Sequence, residues 1–173
     1  MVDNTLILDS QEEADFKAWL EDANSIGLIE DDCLFHPPSF VLSKPVKRTF
    51  HKKLKTKVKI VEKTILQGHN YQADCMFTPT FSFFDKIDMM LSCDGSVWVD
   101  VKGIWTQNTS AQKFSVNRKW VYQKFGIYIN KVVPEKLFKN TWCPESARLS
   151  PKMKQVRKKY AKCKTLKEYN ETI

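Results

Sequence analysis

The polar and apolar positions of residues 10–27 predict an amphipathic helix with the sequence SQEEADFKAWLEDANSIG. Its apolar residues recur at helical spacing, at Phe16, Trp19, Leu20, Ala23 and Ile26. Asp9 or Ser10 suits the N-cap, and Gly27 stands where a helix commonly stops. We expect one face of this helix to be buried.

Runs of β-branched and aromatic residues farther along the chain predict several strands. Pro37 and Pro38 break any helix, and the apolar residues 40–42 that follow suit a short strand. Residues 58–77, VKIVEKTILQGHNYQADCMF, predict two strands joined by a turn at Gly68. A further strand is expected at IYINKVV, residues 127–133.

The clearest alternation lies in residues 97–103, VWVDVKG. Side chains two positions apart share a face of a strand. One face therefore carries Val97, Val99 and Val101, and the other carries Trp98, Asp100 and Lys102. We expect the valine face to pack into the core and the other face to be available for chemistry.

Residues 110–126 predict a second helix, with a buried stripe made of Phe114, Trp120, Val121 and Phe125. The order helix, strands, helix, strand predicts an α/β fold in which helices flank a central mixed β-sheet. A length of 173 residues suits one domain, which we assign to residues 1–143. Residues 144–173 have few large apolar residues and are expected to form a basic C-terminal arm off the core.

The charges are unevenly distributed along the chain. Residues 1–36 hold ten acidic residues and one basic residue, whereas the rest of the chain holds 27 Lys or Arg against ten acids. A strongly basic body attracts polyanions through counterion release. The tail contributes eight of these basic residues between Lys152 and Lys167, and we expect it to bind nucleic acid.

Other classes of protein are disfavoured by the composition. No stretch approaches the roughly 18 apolar residues of a membrane span, and no secretory signal is recognisable, so we expect a cytoplasmic protein without a membrane partner. Five widely spaced cysteines without a CxxC pair argue against disulfides and zinc clusters. No small-molecule cofactor is expected.

Asp100 and Lys102 form a D-x-K triplet, with side chains about 6–7 Å apart on one face of the predicted strand. Phosphodiester hydrolysis needs a cation that neutralises the scissile phosphate and lowers the pKa of the attacking water. Mg²⁺ in such sites is held by one or two carboxylates. Asp74 lies in the preceding strand region and supplies a second carboxylate if the two strands pair.

The segments YQADCMF and WVDVKG together resemble the core motif of the PD-(D/E)XK nuclease superfamily. That motif is an Asp after a small residue or Pro, followed by D/E-x-K on the next strand, and Asp74, Asp100 and Lys102 match it. The resemblance covers residues 10–132 and extends to small phage-type endonucleases and Holliday junction resolvases. It implies a restriction-endonuclease-like core, catalysis by these three residues, and Mg²⁺, replaceable by Mn²⁺, on the two acids.

The resemblance also implies a metal-directed Glu on the first helix. Matching the pattern S-x-x-E-A to residues 10–14 selects Glu13 as a catalytic residue and metal ligand. Glu12 stays a rival because it lies nearer the centre of the apolar stripe. The structural alternative for Glu13 is a capping box with Ser10.

Basic residues on the second helix and in the tail are the candidates for contacts with phosphate. They are Lys113, Arg118, Lys119, Arg157, Lys158 and Lys159. An ordinary solvated surface is the alternative for each of them. Asp85 and Asp88, between the two motif segments, compete with Asp74 as metal ligands.

Together these features predict a metal-dependent DNA endonuclease, acting in the host cytoplasm if a phage encodes it. Branched or junction DNA is the expected substrate, because compact basic members of the superfamily often read DNA shape. Paired cuts at a junction require a homodimer. The alternatives are an endonuclease that nicks or restricts duplex DNA, a non-catalytic DNA-binding accessory protein of replication or recombination with the same fold, and an RNA-directed protein.

Overall fold

The computed structural model describes residues 10–30, 33–104, 108–150 and 154–171. Its helices are α1 (Gln11–Ser25), α2 (Asn108–Phe125), α3 (Pro134–Asn140), α4 (Glu145–Arg148) and α5 (Leu166–Asn170). Its strands are β1 (Leu34–Phe35), β2 (Phe40–Ser43), β3 (Val46–Lys53), β4 (Val58–Leu66), β5 (His69–Tyr71), β6 (Cys75–Phe77), β7 (Val97–Val101) and β8 (Ile129–Val132).

A four-stranded mixed sheet lies at the centre, in the order β1-β6-β7-β8. β6 is antiparallel to both β1 and β7, whereas β8 runs parallel to β7. Parallel neighbours need a crossover connection, and α2 supplies it between β7 and β8. The predicted α/β fold, with a central mixed sheet flanked by helices, is confirmed.

Both faces of β7 are covered by helices. Its valines pack in one hydrophobic cluster with Phe16 and Trp19 of α1. Trp98 packs in a second cluster with Phe114 and Val121 of α2. The predicted alternation is confirmed, but no β7 residue is more than 8% exposed. The face opposite the valines is therefore largely packed, and Asp100 lies at its buried end.

The two long helices follow the predicted ranges. Glu13 N–H donates to the N-cap hydroxyl of Ser10 at 3.2 Å, and the chain leaves α1 through Gly27 at φ 71°. In α2 the predicted stripe is only partly buried, because Trp120 and Phe125 are 37% and 38% exposed. Trp120 stacks on the ring of His69, and Phe125 lies against that of Phe40. Both side chains therefore lie at the margin of the α2 interface.

Strands lie on both sides of Gly68, as predicted, but they do not pair with each other. β4 pairs instead with β3, through a turn at residues 54–57, and β5 pairs with β2. A Cβ at Gly68 would lie 3.1 Å from Pro45 Cδ and 3.2 Å from Ser43 O. Gly68 therefore allows the chain leaving β4 to lie against the chain entering β3.

The C-terminal segment packs on α1, and the expectation that it lies off the core is wrong for its described residues. Tyr160 and Cys163 belong to the main hydrophobic cluster. The Tyr160 hydroxyl donates to Asp15 Oδ2 at 2.7 Å, and Arg157 Nη1 donates to Asp15 Oδ1 at 2.6 Å. Asp15 is only 1% exposed, so one tyrosine and one buried ion pair fasten the segment despite its polar composition.

Two further expectations bear on the chain as a whole. The five cysteines all lie in described segments and are present as free thiols. Within the described ranges, no helix combines the length and apolar character that crossing a membrane would need.

Candidate active site

The two acids of the predicted motif meet where β6 begins and β7 ends. The antiparallel register pairs Cys75 with Val99, so the adjoining Asp74 and Asp100 lie side by side. Asp74 N–H donates to Val99 O at 3.0 Å, and Asp74 Oδ2 accepts from Val101 N–H at 2.7 Å. The expected pairing of the two strand regions is confirmed.

Asp100 is an almost completely buried carboxylate, with 3% of its surface exposed. Its Oδ2 accepts a hydrogen bond from the Tyr71 hydroxyl at 2.5 Å, and its Oδ1 forms an ion pair with Lys102 Nζ. Apart from that ammonium, the described part of the chain offers Oδ1 no polar partner. Burying a carboxylate is costly unless its charge is compensated, so this oxygen suits a cation.

Tyr71, at the end of β5, is a member of the site that the sequence did not reveal. Burial and the neighbouring Asp100 charge hold the pKa of Tyr71 well above its usual range. The phenol therefore keeps its proton and fixes the orientation of the Asp100 carboxylate. A tyrosine in an apolar run ordinarily packs in a core, and nothing in its spacing marks its hydroxyl as a partner of Asp100.

Asp74 is less deeply buried than Asp100 but is strongly affected by its surroundings. Burial, and then the Asp100 charge, raise the pKa of Asp74 to about 6. The Lys102 ammonium, 3.9 Å from Asp74 Oδ2, opposes this shift. The raised pKa means that Asp74 would be more stable as a carboxylate if further positive charge were bound beside it.

Lys102 bridges the two carboxylates from a partly exposed position. Its side chain is 29% exposed, whereas the Asp100 side chain that it contacts is 4% exposed. The Lys102 N–H donates to Val132 O at 2.8 Å, which continues the pairing of β7 with β8. The ammonium is therefore held beside both acids while remaining accessible to a group that enters from solvent.

Glu13, from the first turn of α1, is brought close to this centre. It is 7% exposed, and its charge contributes to the raised pKa of Asp74. The Ser10 hydroxyl donates to Glu13 Oε1 at 3.0 Å, so Glu13 takes part in capping as well. Glu12 is half-buried, with Oε1 3.9 Å from Lys159 Nζ. Glu12 also lines a cavity with Lys102 and Gly103. Glu13 is thus near enough to act on Asp74 electrostatically, but among the described residues it does not join Asp74 and Asp100 in one metal-holding group.

His36 is a second residue near the site that no sequence pattern indicates. The backbone N–H of His36 donates to the backbone oxygen of Asp74 at 2.9 Å. The ring Nε2 of His36 lies 3.9 Å from Glu13 Oε2. The backbone of His36 has a φ of 48°, a conformation that is uncommon for residues with a side chain. Pro37 and Pro38 follow it directly. A single histidine before a pair of prolines carries no signal of this kind in sequence.

The donor set suits Mg²⁺ better than a metal enclosed by protein ligands. Within the described residues, no three His, Cys, Asp or Glu side chains converge to hold a metal ion. Mg²⁺ commonly uses one or two carboxylates and fills its remaining positions with water and substrate phosphate. Asp74 and Asp100 meet that requirement, and the Asp100 oxygen held only by an ammonium fits a cation.

The six predicted phosphate contacts are placed differently from one another. Lys113 and Lys119 are exposed on α2, and Lys158 is exposed in the C-terminal segment. Arg118 lies over the rings of two aromatic residues, Phe114 and Tyr128, at 5.5 and 5.4 Å.

Arg157 and Lys159 face α1. Arg157 has a side chain that is 15% exposed, and it also donates to Ala147 O at 2.9 Å. Lys159 Nζ lies 3.8 Å from Asp15 Oδ2. For Arg157, the buried pair with Asp15 is a sufficient structural role.

The two competing acids lie in the connection between β6 and β7. Asp85 is exposed, and Asp88 is an exposed residue that lines a cavity with Asn130 and Lys136 of β8 and α3.

Comparison with protein-family models, with curated proteins and with solved structures found no match. Function is therefore inferred from the chemistry of the site.

Proposed function

We propose that this protein is a Mg²⁺-dependent endonuclease with a restriction-endonuclease-like core that hydrolyses phosphodiester bonds in branched or junction DNA. The observation that carries the proposal is the convergence of Asp74, Asp100 and Lys102 at the ends of two paired strands. The mixed sheet flanked by helices agrees with the resemblance to PD-(D/E)XK nucleases and supports the same conclusion.

In the proposed reaction, Asp74 and Asp100 would hold Mg²⁺, and the nearby Glu13 would add negative charge to the site. Bound there, Mg²⁺ would neutralise charge on the scissile phosphate and lower the pKa of a water. Tyr71 keeps the Asp100 carboxylate in one orientation. Lys102 orients the attacking water or stabilises the negative charge that develops on the phosphate.

DNA as the substrate is supported by charge. Lys113, Lys119 and Lys158 are exposed cations that would make sequence-independent contacts with phosphate. The chain carries a net charge of +8. Resolution of a four-way junction requires two cuts, so the proposal includes a homodimer.

The proposal is tested by incubating the purified protein with supercoiled plasmid, Y-form DNA and four-way-junction DNA, in Mg²⁺, Mn²⁺ or EDTA. We expect paired nicks in the junction with either metal, none in EDTA, and a dimer by light scattering. Equal cleavage of plasmid and junction by a monomer would favour duplex nicking. Absence of cleavage of all three DNAs would contradict the nuclease and leave a non-catalytic DNA-binding protein.

The raised pKa of Asp74 predicts how metal binding depends on pH. Because the folded-state pKa, about 6, exceeds the unfolded value of about 3.9, the metal-free protein should lose stability as pH rises through this window. Mg²⁺ needs the carboxylate, so its stabilising effect should be small near pH 5 and large near pH 8. The measurement is the melting temperature with and without Mg²⁺ across this range.

Asp74→Asn provides the control for this pH dependence. The variant should show a weaker and flatter response to Mg²⁺, because no proton competes at that position. In the unaltered protein, Mg²⁺ should raise the melting temperature much less near pH 5 than near pH 8. An equal rise at both pH values would exclude Asp74 as a ligand.

A further inference from the structure

A long two-stranded ribbon stands clear of the core. β3 and β4 pair from Val46 to Lys53 and from Val58 to Leu66, and we call residues 46–66 the β3–β4 ribbon. All eight residues of β3 are exposed, as are seven of the nine in β4. An isolated two-stranded ribbon is at best marginally stable in water. A ribbon that packs so little against its own protein therefore suggests a partner.

The ribbon has a large net positive charge because its basic residues are almost unaccompanied by acids. Residues 46–66 contain eight Lys or Arg and one Glu, which is a net charge of +7 when His51 is neutral. The whole chain has a net charge of +8. A partner for the ribbon must therefore be strongly anionic.

The register sorts these charges onto two faces. Residues directly opposite each other share a face, and successive pairs alternate between faces. One face, here called the basic face, carries the pairs Arg48–Lys63, Phe50–Val61 and Lys52–Lys59. The opposite face carries Lys47–Thr64, Thr49–Glu62, His51–Ile60 and Lys53–Val58. The acid of the ribbon lies on this opposite face, where Glu62 pairs with Lys47 at 3.0 Å.

The basic face concentrates like charges in a way that the protein alone does not compensate. Arg48 lies directly opposite Lys63, and Lys52 lies directly opposite Lys59. Like charges in such positions destabilise a pair of strands. None of the four forms an ion pair with an acid in the described segments of the chain. A polyanion lying along this face would turn the repulsion into attraction.

Shape narrows the choice of polyanion to duplex DNA. The major groove of B-DNA is about 12 Å wide and admits a two-stranded ribbon. Eight residues of strand extend about 26 Å, enough to follow the groove over several base pairs. Phe50 and Val61 lie between the two like-charge pairs and suit contact with thymine methyl groups. The deep, narrow major groove of A-form RNA would exclude the ribbon.

The base of the ribbon is tied directly to the candidate active site. Beyond Gly68, the His69 ring is hydrogen bonded to Asn117 Oδ1 at 2.8 Å and stacks on Trp120 of α2. Two residues later, Tyr71 holds Asp100. DNA bound by the ribbon would therefore be attached to the protein only a few residues along the chain from the side chain that holds Asp100.

We propose that the basic face of the β3–β4 ribbon docks in the major groove of duplex DNA beside the cleavage position. This inference rests on the proposed nuclease function for its biological use, but the binding itself does not require catalysis. The ribbon thus adds Arg48, Lys52, Lys59 and Lys63 to the residues that contact DNA.

The test compares two double variants of the ribbon. Each variant removes two positive charges, but the two variants alter opposite faces. Lys52→Gln/Lys59→Gln alters the basic face, and Lys47→Gln/Lys53→Gln alters the opposite face. Binding to a fluorescent duplex and to a four-way junction is measured by anisotropy in EDTA over a range of salt concentrations. The basic-face variant should weaken binding by on the order of tenfold and reduce the salt slope by about 1.8, while the opposite-face variant should change the slope much less.

Two further measurements make the result specific. The basic-face variant should melt no lower than the unaltered protein, because it removes one of the like-charge pairs. Methyl green, which occupies the major groove, should compete with binding more strongly than netropsin, which occupies the minor groove. Double-stranded RNA of the same sequence should bind more weakly than DNA.

Equal weakening by the two double variants would overturn the proposal, because charge alone would then account for the binding. The double variant Phe50→Ser/Ile60→Ser removes two exposed apolar side chains of the ribbon. If it is a monomer where the unaltered protein is a dimer, and its DNA affinity is unchanged, the ribbon binds a second copy of the chain and the proposal is overturned. If only the basic-face variant loses DNA binding and the unaltered protein does not cleave DNA, only the nuclease proposal is contradicted. Cleavage with equal binding of both variants would contradict only the ribbon proposal.

Discussion

Asp100→Asn should abolish DNA cleavage while leaving the protein folded. The amide keeps an oxygen that can accept from the Tyr71 hydroxyl, but it removes the charge that binds both Lys102 and a divalent cation. We expect cleavage in Mg²⁺ to fall by at least about 10³-fold, equivalent to about 4 kcal/mol of transition-state stabilisation. The measurement is the single-turnover cleavage rate of the preferred substrate, with circular dichroism to verify the fold.

Asp88→Asn is the matched control for this experiment. It makes the same chemical change at an exposed acid that lies beside β8 and α3, so its cleavage rate should stay within about twofold, as expected for an exposed position. DNA binding in EDTA should be retained by both variants. Undiminished cleavage by a folded Asp100→Asn variant would exclude the proposed centre, and loss of cleavage in Asp88→Asn instead would move the metal site to that cavity.

Arg157→Ala should strongly destabilise the protein. The substitution removes the guanidinium that donates to the buried Asp15 at 2.6 Å. Breaking a buried ion pair costs about 3–5 kcal/mol, because it leaves an uncompensated charge. Tyr160 and Lys159 still contact Asp15, so we expect the lower end, about 3 kcal/mol, and a melting temperature lower by roughly 6–12 °C. Thermal and urea unfolding measure this loss.

Lys158→Ala separates this structural role from a contact with DNA. Lys158 precedes Tyr160 in the same segment but is exposed, so its removal should change stability by less than about 0.5 kcal/mol. It should weaken DNA binding slightly if Lys158 contacts phosphate. The opposite pattern, in which Arg157→Ala retains its stability but loses DNA affinity, would restore Arg157 as a phosphate contact.

The parts of the fold that sequence predicts are those in which a local period and a buried face agree. The helical spacing of Phe16, Trp19 and Leu20 defines α1, and the alternation around Val99 defines β7. Asp74 was expected beside Asp100 on the condition that the two strand regions pair, and they do pair. In these cases each residue is placed mainly by its neighbours in the chain.

The parts that sequence does not predict depend on distant contacts. The Tyr160 hydroxyl reaches Asp15 across the fold, and no local pattern distinguishes this tyrosine from one in a solvated tail. The pairing of β3 with β4 was not predicted, because lysines on both faces obscure the alternation of polar and apolar residues. Gly68 also resembles a hairpin turn in sequence, whereas in the structure it allows two segments of backbone to approach closely. His36 and Tyr71 join the site only through the packing of elements far apart in sequence.

The attachment of the C-terminal segment to Asp15 also affects how shortened chains should be interpreted. Asp15 lies two residues beyond Glu13 on the first turns of α1, so the segment braces the same part of the helix that presents Glu13 to Asp74. Deleting residues 144–173 removes that brace together with the positive charges of the tail. Loss of DNA cleavage by the shortened protein would therefore have two explanations, which are the displacement of Glu13 and the removal of a DNA-binding arm.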